Sequence, residues 1–147
     1  MSTSEILLSE TSGGVLKLSL NRPERRNALN EDLILELTTA LEEASRNPEV
    51  RVILLTGTGE KAFCSGADLN PKAGTFGFDY ANPMTAYANL LRAARRTTVP
   101  VVGRINGHCL AGGMGLLALC DMAVASRTAK FGLPEVKVGF FAAASGV

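Results

Sequence analysis

Residues 106–121 read N-G-H-C-L-A-G-G-M-G-L-L-A-L-C-D: a polar turn, closely set glycines, an apolar stretch and an acidic stop. An apolar run, Val99 to Ile105, comes just before. A strand that turns through glycines into a helix is a joint of α/β architecture. Gly112, Gly113 and Gly115 fall where that helix must begin. The first N–H groups of a helix lack partners within it, and that end carries a partial positive charge. Glycine also lets another group approach the backbone closely. The segment is therefore suited to hold negative charge as it develops, which points to chemistry at a carbonyl.

The rest of the chain continues the alternation. Gly14 to Leu20 contains V-L-K-L-S-L and predicts a strand. Asn21 to Asn27 is a polar connection with Arg22, Arg25 and Arg26. Asn30 is placed to cap a helix whose first turn holds Glu31 and Asp32. Leu33, Leu37, Leu41 and Ala44 recur along it at helical spacing, and Asn47-Pro48 ends it. Val50 to Leu55 predicts a buried strand. Thr56 to Pro71 reads as a loop containing F-C-S-G-A-D-L, and Lys72 to Asp79 as a mobile stretch. Asn82-Pro83 predicts the entrance of a helix from Met84 to Arg96. Met122 to Ala125 and Ala129 to Phe131 are short strands. The expected class is α/β, one domain over residues 1–147.

Composition narrows the partners. With 147 residues, 46% hydrophobic and 20% charged, the chain can bury a sizeable core. A net charge of +1 and 5% aromatics give no footprint for nucleic acid. No apolar run is long enough to span a membrane, and the acidic N-terminus is no secretory signal. Cys64, Cys109 and Cys120 are odd in number and scattered, so reduced thiols and a cytoplasmic location are expected. One histidine and no ligand-spaced cluster predict no metal. The last residues, F-A-A-A-S-G-V, carry no polar cap, which suggests a cut inside a domain.

A second glycine loop changes the meaning of the first. Ser65-Gly66-Ala67-Asp68 and Ala111-Gly112-Gly113 each follow a strand, so both can reach one edge of a sheet, where open α/β sheets bind ligands. One backbone N–H from each loop makes an oxyanion hole. Around these loops run N-R-P-E-R-R-N-A-L at Asn21 to Leu29, K-A-F-C-S-G-A-D-L at Lys61 to Leu69, N-G-H-C-L-A-G-G at Asn106 to Gly113, Cys120-Asp121, and F-G-L-P-E-V-K-V-G at Phe131 to Gly139. In this order they closely resemble the crotonase, or enoyl-CoA hydratase/isomerase, superfamily.

The resemblance implies a spiral of ββα units, truncated here before the C-terminal helices, that binds acyl-CoA thioesters. It implies the N–H groups of Ala67 and Gly112 as the oxyanion-hole donors. It also implies a CoA wall at Ser65, Ala67, Asp68 and Leu69, with Arg26 and Ala28 beside it and Arg26 facing the phosphates. CoA is then part of the substrate, and no separate cofactor is expected. The full-length protein is expected to form a homotrimer or a dimer of trimers. Hydratases of the superfamily carry two catalytic glutamates. At the first position this chain has Gly115, and at the second Glu135. A single carboxylate suits a proton shuttle, so isomerisation of a 3-enoyl thioester to the 2-enoyl form is favoured over water addition.

Two other classes remain open at this level. One is a non-catalytic or inactive acyl-CoA-binding fragment, exposing apolar surface where C-terminal helices would pack. The other is a hydrolase using Ser65 or Cys64 with His108 and Asp121. Asp68 is expected to structure its loop, and Asp121 to cap or pair locally.

Overall fold

The computed structural model describes residues 5–70 and 85–139. Among the described residues, eight strands form two sheets. β1 (Leu7–Ser12), β2 (Val15–Leu20), β3 (Val52–Gly57), β5 (Val101–Ile105) and β7 (Met122–Ala125) make the larger one, in the order β1-β2-β3-β5-β7. β4 (Ala62–Cys64), β6 (His108–Leu110) and β8 (Phe131–Gly132) make the smaller one, in the order β4-β6-β8. β1 and β2 form an antiparallel hairpin, and every other pairing is parallel.

The chain reaches this arrangement by repetition. β3 lies in the large sheet, β4 in the small one, and helix α2 (Ala86–Arg96) comes next in the described chain. β5 and β6 repeat the step before helix α3 (Gly112–Ala118), and β7 and β8 repeat it before a 3₁₀ turn at Pro134–Val138. This is the expected succession of ββα units. It stacks the small strands in parallel and brings their carboxyl ends to one edge.

Helix α1 (Glu31–Arg46) begins as expected: the Asn30 side chain accepts from the Leu33 N–H at 3.1 Å. Its buried stripe is Leu33, Ile34, Leu37, Leu41 and Ala44, at helical spacing. That stripe joins Leu18 and Leu20 of β2, Ile53 and Leu55 of β3, Phe63 of β4, Leu90 of α2 and Leu116 of α3 in one core cluster. Ser45 and Thr98 tie the end of α1 to the end of α2, with the Thr98 hydroxyl donating to the Ser45 carbonyl at 3.3 Å.

Three strands were not expected. β1 is mostly exposed and its polar residues mask the alternation, while β4 and β6 are each three residues long inside glycine-rich sequence. Helix α2 begins at Ala86 and is capped by Thr85, whose hydroxyl accepts from the Ala88 N–H at 3.3 Å. Asn82-Pro83, the stretch from Lys72 to Asp79, and the last eight residues lie outside the described residues. β7 is exposed along its whole length, with Val124 71% accessible, and Leu133 and Val136 beyond β8 are exposed too. Among the described residues, no helix is long and apolar enough to cross a membrane.

Candidate active site

The carboxyl ends of β4, β6 and β8 carry the predicted residues. Ser65 to Asp68 leaves β4, Ala111 to Gly113 leaves β6, and Leu133 to Glu135 leaves β8. The loops were expected to follow the long apolar strands. They instead follow the short strands of the small sheet, which aim them at one another.

Close backbone packing holds the two glycine loops together. Gly66 has φ +97°, and a Cβ there would lie 2.6 Å from the Ala111 Cβ and 3.2 Å from the Gly112 nitrogen. Neither the conformation nor the space admits a side chain. Gly113 sits on β4, where an added Cβ would come within 2.5 Å of the Cys64 carbonyl oxygen. An added Cβ at Gly112 would stand 3.7 Å from the Ala67 nitrogen. The two N–H groups named from the sequence are therefore neighbours.

Their direction follows from the pairing around them. Leu29 donates to the Gly66 carbonyl at 2.8 Å and accepts from the Asp68 N–H at 2.8 Å, a parallel bridge to Ala67. In extended backbone the N–H of the intervening residue faces the opposite side, so Ala67 turns its own away from Leu29. Gly112 is the first residue of α3 and has no acceptor within the helix. Among the described residues, no acceptor is paired with either N–H. Ala111 precedes it at φ 50°, strained for a residue with a Cβ, and is held by its N–H to the Gly132 carbonyl at 2.9 Å. With seven residues, α3 contributes little dipole, so these placed N–H groups matter more than the field of the helix.

Buried polar side chains brace this edge. Asp68 is expected to be structural, and it is: its carboxylate accepts from Arg22 Nη2 at 2.8 Å and from the Asn70 N–H at 3.1 Å. The Arg22 hydrogen bond holds its carboxyl below the ordinary value, against burial. Arg22 also donates to the Ala28 carbonyl. Asn27, fully buried, accepts from the Arg22 N–H at 2.9 Å and donates to the Thr58 and Ala62 carbonyls. Asn106 accepts from the Gly57 N–H at 3.0 Å and donates to the Gly59 carbonyl at 2.8 Å. Sequence reasoning passed over Arg22 and Asn27 as loop residues. The hint was local: a positive φ is commonest in asparagine among residues with side chains, and Asn27 has φ 54°.

The remaining predicted residues divide. Glu135 sits in the 3₁₀ turn with its Oε2 oxygen enclosed by protein. Ala28 is buried, with its carbonyl taken by Arg22. Leu69 is exposed. Arg26 and Ser65 line a hollow of about 360 Å³ that also meets Lys61 and His108, and the Arg26 carbonyl accepts from the Ser65 N–H at 3.1 Å. Tyr87, which the sequence reading did not single out, reaches from α2 and donates its hydroxyl to the Gly112 carbonyl at 2.8 Å.

The hydrolase constellation does not assemble. Asp121 accepts from the Val101 N–H at 2.7 Å, at the start of β5, whereas His108 follows the far end of that strand. Asp121 thus pairs with the sheet and does not cap α3. His108 Nδ1 accepts from the Lys130 N–H at 3.2 Å. Cys64 is buried, and burial pushes its thiol up to about 12, far from a usable nucleophile.

The whole arrangement has close relatives. A family model described as enoyl-CoA hydratase/isomerase matches residues 10–147. The chain is 38% identical over 141 residues to mevalonyl-coenzyme A hydratase of Aspergillus fumigatus, covering 96% of this chain and 52% of that protein. It is 35% identical over 144 residues to (E)-benzylidenesuccinyl-CoA hydratase of Thauera aromatica, covering 93% and 53%. Among solved structures, an enoyl-CoA hydratase from Geobacillus kaustophilus superposes with a TM-score of 0.84 at 35% identity, over 97% of this chain and 55% of that one. The chain spans about half the length of the curated relatives it matches. The paired glycine loops, the ββα succession and these matches agree: the chain belongs to the enoyl-CoA hydratase/isomerase family.

Proposed function

We propose that this chain carries the reaction centre of an enoyl-CoA isomerase, which moves the double bond of a 3-enoyl-CoA into conjugation with the thioester. The observation that carries the reading is the meeting of Ala67 and Gly112 at the carboxyl edge of the small sheet, beside the turn that holds Glu135. The thioester oxygen accepts from the two N–H groups. Glu135 takes a proton from C2, and the electron pair of that C–H bond moves toward the carbonyl. The oxygen then carries the enolate charge, where fixed donors are worth most because they need not reorganise. Glu135 returns the proton to C4, leaving the double bond between C2 and C3. Atoms balance, and the carboxylate ends as it began.

Ser65, Ala67, Asp68 and Leu69 are the proposed wall for CoA, with Ala28 behind it and Arg26 for the phosphates. Gly115 favours the shuttle over hydration, since it offers no group to orient a water. The second reading is water addition to a 2-enoyl-CoA, favoured by the relatives above, which are named hydratases. Assay with both substrates separates the two: formation of conjugated thioester from 3-enoyl-CoA supports isomerisation, and its loss from 2-enoyl-CoA supports hydration. Thioester binding without either reaction leaves a non-catalytic acyl-CoA binder and ends the enzyme reading.

A further inference from the structure

Tyr87 ties helix α2 to the first residue of α3, where one of the proposed oxyanion donors sits. Its hydroxyl donates to the Gly112 carbonyl at 2.8 Å, across 25 residues of sequence. The ring packs against the core cluster. Burial raises the phenol above its ordinary value, with smaller contributions from Cys64, Cys109 and, last, Glu135, so the side chain is a neutral donor.

The start of α3 is poorly restrained from within. Three of its first four residues are glycine, which has the largest freedom to lose and no Cβ to pack. The Ala111 to Met114 turn is closed by backbone bonds, the Met114 N–H to the Ala111 carbonyl at 2.8 Å and the Ala111 N–H to the Gly132 carbonyl at 2.9 Å. Among the described residues, Tyr87 is the side chain that adds to them. It grips the carbonyl of the same residue whose N–H is the proposed oxyanion donor.

From this geometry we infer that Tyr87 is a positioning residue, a clamp from α2 that holds the Gly112 N–H in register with Ala67 and Glu135. The inference rests on the oxyanion-hole reading above. A displaced donor weakens the enolate more than the bound thioester, because the charge on oxygen is larger in the transition state. The effect therefore belongs in kcat and not in KM.

The test compares wild type with Tyr87→Phe, which keeps the ring and removes only the hydroxyl. Turnover of the enoyl-CoA substrate is measured together with the absorbance of a bound aryl-conjugated 2-enoyl-CoA, whose spectrum shifts to the red when its carbonyl is polarised. Tyr87→Phe should lower kcat about threefold to tenfold, the range for one hydrogen bond, with KM unchanged and part of the red shift lost. An unchanged kcat and an unchanged red shift overturn the clamp and leave the oxyanion hole standing. A raised KM with unaltered kcat also overturns it, since that is a binding role. A wild type that binds the thioester with no red shift overturns the oxyanion hole and the clamp together.

Discussion

The two sheets divide the labour of this molecule. β2 and β3 of the large sheet pair over six residues and bury leucine and isoleucine against α1, whereas β4 and β6 of the small sheet pair over only two. The large sheet is extensive and apolar and has no proposed chemical role. The small sheet is barely a sheet, yet its three carboxyl ends carry all the proposed reacting groups. Hydrophobic burial scales with area, so extent stabilises. Positioning scales with the number of fixed directions, and short strands locked by the buried Asn27, the half-buried Asn106 and glycine contacts supply those instead.

If the division is real, a change at the edge of the small sheet should alter rate without stability. Glu135→Gln keeps the shape of the side chain and removes its ability to hold a proton. Turnover should fall about 10²–10⁴-fold, the usual worth of a general acid/base, with binding and the melting temperature unchanged. Retained turnover would remove Glu135 from the mechanism. The converse change lies in the large sheet's layer. Leu37 is fully buried in α1, and Leu37→Ala should cost about 2–5 kcal/mol by urea unfolding while the rate per folded molecule stays the same. A loss of rate per folded molecule would mean that the layers are not separable.

The same division explains what the sequence let one read. α1 was legible end to end, because Leu33, Leu37, Leu41 and Ala44 repeat at helical spacing between an asparagine cap and Asn47-Pro48. β3 and β5 were legible as apolar runs. β4 and β6 were not, because three residues hold too few alternations to register against flanking glycine. The site was legible as motif order, through the resemblance around Ser65 to Leu69 and Asn106 to Gly113. Its braces were not: Arg22 meets Asp68 across 46 residues, and Tyr87 meets Gly112 across 25. Contacts at such separations follow from topology, which a local pattern does not contain.

Gly66 lies where stability and rate meet. Its φ of +97° and the 2.6 Å approach to Ala111 both oppose a methyl group. Gly66→Ala should destabilise by about 1–3 kcal/mol and should also lower kcat, since relief of the overlap moves Ala67 away from Gly112. The combination of thermal melt and turnover is the check, and a variant that melts earlier yet turns over normally would show that the loops tolerate separation.

The smallest effect tests whether the brace is electrostatic or merely polar. Asp68 and Arg22 are 2.8 Å apart, with side chains 10% and 14% accessible. Arg22 holds the Asp68 carboxyl below its ordinary 3.8, so the native state binds this proton less readily than the unfolded chain. The stabilisation is then complete above about pH 5 and is lost as pH falls through 3.8 toward the lower native value. Asp68→Asn should cost about 1.5 kcal/mol at pH 7, the lower end for a hydrogen bond to a charged group, since the pair keeps some solvent access. As the pH is lowered below 4, wild type loses its advantage and the two unfolding curves should converge. A gap that stayed constant down to pH 3 would mean that shape, and not charge, braces the edge, and the small sheet would then be held by the same packing that holds the large one.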